Sequence, residues 1–368
     1  PVAKKSPALL PLKNDCQNIL VVGDNATRKL NEGGGSSELK VKDMVSPLDG
    51  LRAIYGDRVK YAQGYAAGQP MYGSVNEIPQ EVQDKLRAEA VAMAKDADVV
   101  ILVGGLNKNH LQDCEGGDRQ SYGLPFGQEK LIEELQAVNK NLVLVLLSGN
   151  AVEMPWIDKV PAIVQGWYLG SMGGKSIANV LSGKVNPSGK LPFSFPVKLT
   201  DNGAHSFDSL CYPGDGVKQV YKEDILVGYR WHDTKKIPAA FAFGHGLSYT
   251  TFEYGKAVAS AKKMTADDQL EISVKVKNTG AVAGKEVVQL YIGDDKSSVV
   301  RPLKELKHFQ KIALNPGEEQ TVTFIVSADD LKYYDEATKD WKAEAGKFKA
   351  YIGSSSADIR TVVPFVLE

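Results

Sequence analysis

Between residues 17 and 200, short and almost unbroken apolar runs alternate with stretches whose apolar positions recur at helical spacing. Asn18-Ile19-Leu20-Val21-Val22-Gly23, Arg58-Val59-Lys60-Tyr61-Ala62, Asp98-Val99-Val100-Ile101-Leu102-Val103-Gly104, Leu142–Leu147 and Ala162–Trp167 predict strands. Ile78, Val82, Leu86, Ala90 and Met93 predict a helix over 78–95. Ser46 and Pro47 predict a helix start, a capping hydroxyl followed by a residue suited to the first helical position. Leu131, Ile132 and Leu135 share one face of a helix over 128–138, and a further helix spans about 174–181. Strands that are apolar on both faces and separated by helices make a parallel sheet covered on both sides. The expected fold of 17–200 is α/β: a three-layer α/β sandwich with a mostly parallel sheet.

After Leu191-Pro192-Phe193-Ser194-Phe195-Pro196 the texture changes. Residues 201–250 are rich in Gly, Pro, aromatic and polar residues without a clear period, and read as a wrapped connection. From 251 to 368 the pattern turns all-β. Leu270–Lys277 and Gln320–Val326 alternate with period two, Asn278-Thr279-Gly280 and Asn315-Pro316-Gly317 break the runs, and Val287–Ile292, Phe348–Ile352 and Thr361–Val366 complete the set. Several short strands at this spacing predict an immunoglobulin-like sandwich. The Cys-Trp-Cys signature of antibody domains is absent, so the fibronectin type III-like variant fits better.

Composition narrows the function classes. The net charge is −1, from 44 Lys and Arg against 45 Asp and Glu, with no long run of one sign. Neither nucleic acid nor a membrane surface is therefore an expected partner. Cys16, Cys114 and Cys211 form neither a disulfide framework nor a CxxC metal site. His110, His205, His232, His245 and His308 show no metal-ligand spacing, and no metal or cofactor is expected. Gly23-Asp24-Asn25 and Gly33–Ser37 spell neither a dinucleotide fingerprint nor a P-loop. Leu147-Ser148-Gly149 lacks the first glycine of a nucleophile elbow.

What remains is Asp113-Cys114-Glu115-Gly116-Gly117-Asp118-Arg119, just past the 98–104 strand. Ligand crevices of open α/β sheets lie off that end of the strands. A carboxylate on a glycine-loosened loop there is a candidate general acid or base; the competing reading is a solvated turn. Asp113 and Asp118 would raise a neighbouring carboxyl's pKa by like charge, and Arg119 would oppose them. Trp156, Trp167, Tyr168 and Trp231 are candidates either for the core or for stacking on a sugar ring.

Several segments, in order, resemble glycoside hydrolase family 3, in the portion after its catalytic barrel. They are Ser6–Lys13, Ile19–Ala26, Gly33–Ser37, Ser46–Leu51, Asn186-Pro187-Ser188-Gly189-Lys190-Leu191-Pro192, Tyr221–Arg230 with its Gly228-Tyr229-Arg230, and Phe243-Gly244-His245-Gly246-Leu247-Ser248-Tyr249-Thr250. Lys277-Asn278-Thr279-Gly280 and Gly284–Tyr291 are similar to the family's fibronectin type III-like domain. The resemblance covers essentially the whole chain. It implies a retaining β-glucosidase acting on β-glucosides or β-linked oligosaccharides, with a β-xylosidase or an enzyme of mixed specificity as the alternative. A non-catalytic carbohydrate-binding or scaffolding protein of the same fold is the alternative from another class. In the family a Gly-Glu-Gly-aromatic-Asp-Arg loop carries the acid/base Glu. Glu115 falls on that position, with Cys114 for the first Gly and Gly117 for the aromatic, and Asp118 and Arg119 fall on loop-positioning or substrate-binding positions. The family's nucleophile is an Asp on the barrel, and no Ser-Asp-Trp-like nucleophile motif occurs in these 368 residues. The resemblance therefore implies that 1–16 is a linker from an N-terminal barrel carried by the same gene or a second chain, and that this chain alone is inactive. It further implies a periplasmic or secreted location, with the cytoplasm still open, and a fibronectin-like domain that braces its neighbour or a homodimer.

Overall fold

The computed structural model describes residues 1–4, 9–28, 39–68, 77–109, 111–113 and 119–368. The chain divides into two compact units, Pro1–Pro187 and Ser188–Glu368.

The first unit is built on six strands, β1 (Val2–Lys4), β2 (Ile19–Val22), β3 (Val59–Ala62), β4 (Val99–Gly105), β5 (Leu142–Leu147) and β6 (Ala162–Gln165). Their order is β1-β6-β5-β4-β2-β3, parallel throughout except for β1, which runs antiparallel to β6 at the edge. Every residue of β2, β4, β5 and β6 is buried, which is why these runs carry no polar alternation. The helices are α1 (Pro47–Tyr55), α2 (Gln80–Ala94), α3 (Gln128–Val138) and α4 (Gly173–Leu181). Ser46 Oγ accepts the Asp49 N–H at 3.2 Å, capping α1 as its sequence predicts. Helix α1 packs with α4, and α2 with α3. The β2-to-β3 crossover runs one way across the sheet and the next three, of which the first two carry helices α2 and α3, run the other way. Right-handed crossovers place their helices on opposite faces, giving the three-layer sandwich. The direction reverses between neighbours β2 and β4, the topological switch point of the sheet.

Within the stretch read as a linker, Val2–Lys4 pairs with β6 and buries Val2 and Ala3. Three residues are too short a run to show a period.

In the second unit, β7 (Phe195–Pro196) pairs with β8 (Ala239–Phe241), with α5 (Tyr229–Lys235) between them in sequence. Then come β9 (Phe252–Tyr254), β10 (Val258–Ala259), β11 (Lys263–Met264), β12 (Leu270–Asn278), β13 (Gly284–Asp294), β14 (Glu305–Leu314) and β15 (Glu319–Val326). After the single turn α6 (Ala328–Leu331) follow β16 (Tyr333–Asp335), β17 (Asp340–Lys342), β18 (Gly346–Gly353) and β19 (Ile359–Leu367). Strands β9, β10, β12 and β15 form one sheet and β11, β19, β18, β13 and β14 the other. The inward residues of both, among them Ile272, Val274, Leu290, Phe324, Phe348 and Phe365, make one core. This is the fibronectin type III-like sandwich that the period-two runs predict. Strand β14 has no counterpart among the predicted strands. Of its ten residues only Ile312 and Leu314 are buried, so its sequence carries little alternation.

Candidate active site

The carboxyl ends of the five parallel strands gather at one edge of the first unit, and the segment leaving β4 organises that edge. Gly104 and Gly105 end the strand. At Gly105 φ is 118°, and a Cβ there would stand 2.2 Å from the Leu147 carbonyl oxygen. Glycine therefore lets the chain hug β5, and the Leu106 N–H donates to that carbonyl at 2.8 Å.

From Leu106 onward the segment bonds to the exits of the four other parallel strands. Asn25, fully buried after β2, donates its side-chain N–H to the Leu106 carbonyl at 3.0 Å, which bridges the switch point itself. Asn109 donates to the Ala67 carbonyl beyond β3 at 2.6 Å. The Asp113 carboxylate accepts from the Gly149 N–H at 2.6 Å and from Asn150 Nδ2 at 3.0 Å, both just past β5. It also accepts from the Tyr168 hydroxyl, beyond β6, at 2.8 Å. Within the segment, Asn107 Oδ1 accepts the Asn109 N–H at 2.9 Å and the Asn107 carbonyl accepts the Asp113 N–H at 3.0 Å.

Arg119 resumes the described chain. Its Nη2 donates to the Ala151 carbonyl at 2.7 Å, and its guanidinium lies 5.9 Å from the centre of the Tyr122 ring. Burial pulls its pKa down from the usual arginine value, while Asp113 works in the opposite direction. Burial first, and then the Asp113 charge, push the Tyr168 phenol far above its ordinary pKa. It therefore remains a hydrogen-bond donor throughout the working pH range.

Of the residues singled out by sequence, Arg119 is committed to the Ala151 carbonyl. Glu115, Asp118 and Gly33–Ser37 lie outside the described residues. Asp113 accepts from three donors, and its charge acts on Arg119 and Tyr168. Asp24 is buried after β2, paired with Arg28 and accepting from Gln63 Nε2 at 3.1 Å. Trp156 and Trp231 are buried, Trp231 donating its indole N–H to the Asp201 carbonyl at 3.1 Å. Tyr168 spends its hydroxyl on Asp113. Sequence reasoning missed Asn107, Asn109, Asn150 and Ala151, and weighed Asn25 and Gly149 only as parts of segments that match no phosphate loop or nucleophile elbow. For the asparagines and Gly149 the signal was a polar or glycine residue shortly past an apolar strand, where the backbone has left the ladder and needs partners; Ala151, which takes part through its carbonyl, carried none. Among the described residues no group of three or more His, Cys, Asp or Glu stands where it could hold a metal ion, and no helix is long and apolar enough to cross a membrane.

Comparison with known proteins gives this edge its context. The family model described as the glycosyl hydrolase family 3 C-terminal domain matches residues 4–249, and that of the fibronectin type III-like domain matches 286–356. The chain belongs to glycosyl hydrolase family 3, represented here by its C-terminal α/β domain and a fibronectin type III-like domain. It is 61% identical over 98% of its length to a β-glucosidase of Bacteroides ovatus, and 41% identical over 97% to thermostable β-glucosidase B of Acetivibrio thermocellus. It covers 49% and 45% of those relatives, so it spans about half their length. The crystal structure of a β-glucosidase from Kluyveromyces marxianus superposes with a TM-score of 0.91 at 29% identity, over all of this chain and 59% of that one.

Proposed function

We propose that the chain is the C-terminal part of a retaining β-glucosidase, that Glu115 is its acid/base residue, and that the nucleophilic carboxylate comes from a segment outside these 368 residues. The observation that carries the reading is the position of the β4 exit, which begins at the topological switch point, with Glu115-Gly116-Gly117-Asp118-Arg119 following it in sequence. The family membership and the β-glucosidase relatives support the same chemistry.

A retaining mechanism uses two carboxyl groups about 5–5.5 Å apart. The nucleophile attacks the anomeric carbon as Glu115 protonates the departing glycosidic oxygen. Glu115, now a carboxylate, then takes a proton from the water that hydrolyses the glycosyl-enzyme. With one carboxyl of the pair, the 368-residue chain alone is expected to turn over no aryl β-glucoside.

The test is Glu115→Gln in the complete gene product. Loss of a positioned general acid costs about 10²–10⁴-fold in rate. Because the acid matters most when the leaving group is a poor one, kcat/KM is expected to fall steeply for phenyl β-D-glucoside and little for dinitrophenyl β-D-glucoside. Equal losses on both would refute the assignment. Millimolar or tighter binding of glucose by this chain alone, with no turnover by the complete gene product, would point to a binding module instead.

A further inference from the structure

We propose that Asp113 is a positioning residue for the acid/base step, an inference that rests on the reading of Glu115 above. Asp113 stands two residues before Glu115 and Arg119 four residues after it. Both fasten to the same short strip of chain. Asp113 takes the Gly149 N–H and the Asn150 side chain, and Arg119 holds the Ala151 carbonyl, so three consecutive residues beyond β5 receive both ends of the 113–119 segment. Tyr168 adds a third donor to Asp113 from the neighbouring strand exit. Gly149 suits the strip, since a Cβ there would stand 3.3 Å from Asp113 Oδ2.

The chemistry of the cluster fits a fixed anchor. Asp113 Oδ2 accepts two bonds and Oδ1 one, all from donors that keep their protons at working pH. Charge-assisted bonds of this kind are short and directional. They fix the chain at Asp113, two residues before Glu115 in sequence. An acid working within hydrogen-bond reach of a glycosidic oxygen tolerates little displacement: an error of about 1 Å can cost on the order of 10²-fold.

A brace that merely stabilised the domain would slow all substrates alike. A residue that aims the acid slows those that need protonation. In the complete gene product, kcat/KM is to be measured for phenyl and dinitrophenyl β-D-glucosides in Asp113→Asn, Tyr168→Phe and, as the reference, Glu115→Gln, with thermal midpoints alongside. Asp113→Asn is expected to lower kcat/KM by about 10–100-fold on the phenyl glucoside and little on the dinitrophenyl glucoside. Tyr168→Phe removes one of the three donors with almost no change of shape. It should show the same leaving-group bias at smaller size, even if Asp113→Asn folds poorly. Equal losses on both substrates in the two clamp variants, or no loss, overturn the proposal. If Glu115→Gln keeps its bias while they lack it, only the clamp falls. If Glu115→Gln lacks the bias too, the reading beneath it falls as well.

Discussion

Asn278 shows how much one side chain can carry. It is fully buried, its Nδ2 donates to the Val282 and Leu314 carbonyls at 2.9 and 3.0 Å, and its Oδ1 accepts from Thr250 Oγ1 at 2.6 Å and the Gly280 N–H at 3.0 Å. Every polar site of the amide is used, so Asn278→Asp, nearly identical in shape, should be costly. Two carbonyls would lose their donor, at about 1–3 kcal/mol for each buried group left unsatisfied. The deficit should shrink as pH falls, because a protonated carboxyl regains one O–H donor. Urea unfolding at two pH values checks both parts; a variant as stable as the parent at neutral pH refutes the account. Sequence marks Asn278 only as a break after an alternating run, in a motif shared with the family. Asp113 is similar: it is one acid among several in its loop, and what distinguishes it are partners 36 to 55 residues away. Local pattern holds no trace of such pairings.

At the scale of elements the legible parts are those whose cause is local. Strand β5 and helix α3 have the limits that their apolar patterns predict, Leu142–Leu147 and Gln128–Val138, and α1 starts where Ser46 and Pro47 place it. Strands β1 and β14 escape because one is three residues long and the other is mostly half-exposed. How closely elements approach is also hidden. A Cβ on Gly50 of α1 would stand 2.3 Å from the Gly174 carbonyl oxygen of α4, and one on Gly174 would stand 2.0 Å from the Ser46 carbonyl oxygen. The two helices thus meet backbone to backbone. Helix propensity alone favours Gly50→Ala by about 1 kcal/mol. The contact opposes it, since backbone cannot swing aside as a flexible side chain can, and overpacking costs about 1–3 kcal/mol. The expected sign is destabilising, read as a lower midpoint in urea or on heating. A more stable variant would mean that the helices separate at little cost.

At the scale of the molecule, sequence texture divides the chain near 250, and the family model ends at 249. Contacts instead group everything from Ser188 onward with the C-terminal strands. The reason lies in side chains that 201–250 sends into the sandwich. Tyr229 stacks on Phe243 with ring centres 4.6 Å apart, both pack against the Tyr291 ring, and the Tyr229 hydroxyl accepts the Leu306 N–H at 2.8 Å. Arg230 pairs with Glu305 at 3.3 Å, and Thr250 supplies one of the donors on Asn278. Lys304, 7% exposed, pairs with Asp233 at 2.6 Å, and burial raises the pKa of that carboxyl although Lys304 pulls it down. A segment without periodicity is therefore held by tertiary partners, which is why its sequence reads as a mere connection. A fragment of residues 188–368 should unfold cooperatively and at distinctly higher urea than one of 251–368. The shorter piece leaves Lys304 without its carboxylate, and breaking a buried ion pair by removing one partner costs about 3–5 kcal/mol before the aromatic contacts are counted. Lys304→Met in the shorter fragment removes the stranded charge and should recover part of the loss. Equal midpoints for the two fragments would show that 188–250 adds nothing to the sandwich, and no recovery by Lys304→Met would locate the loss in the Tyr229, Phe243 and Tyr291 rings instead.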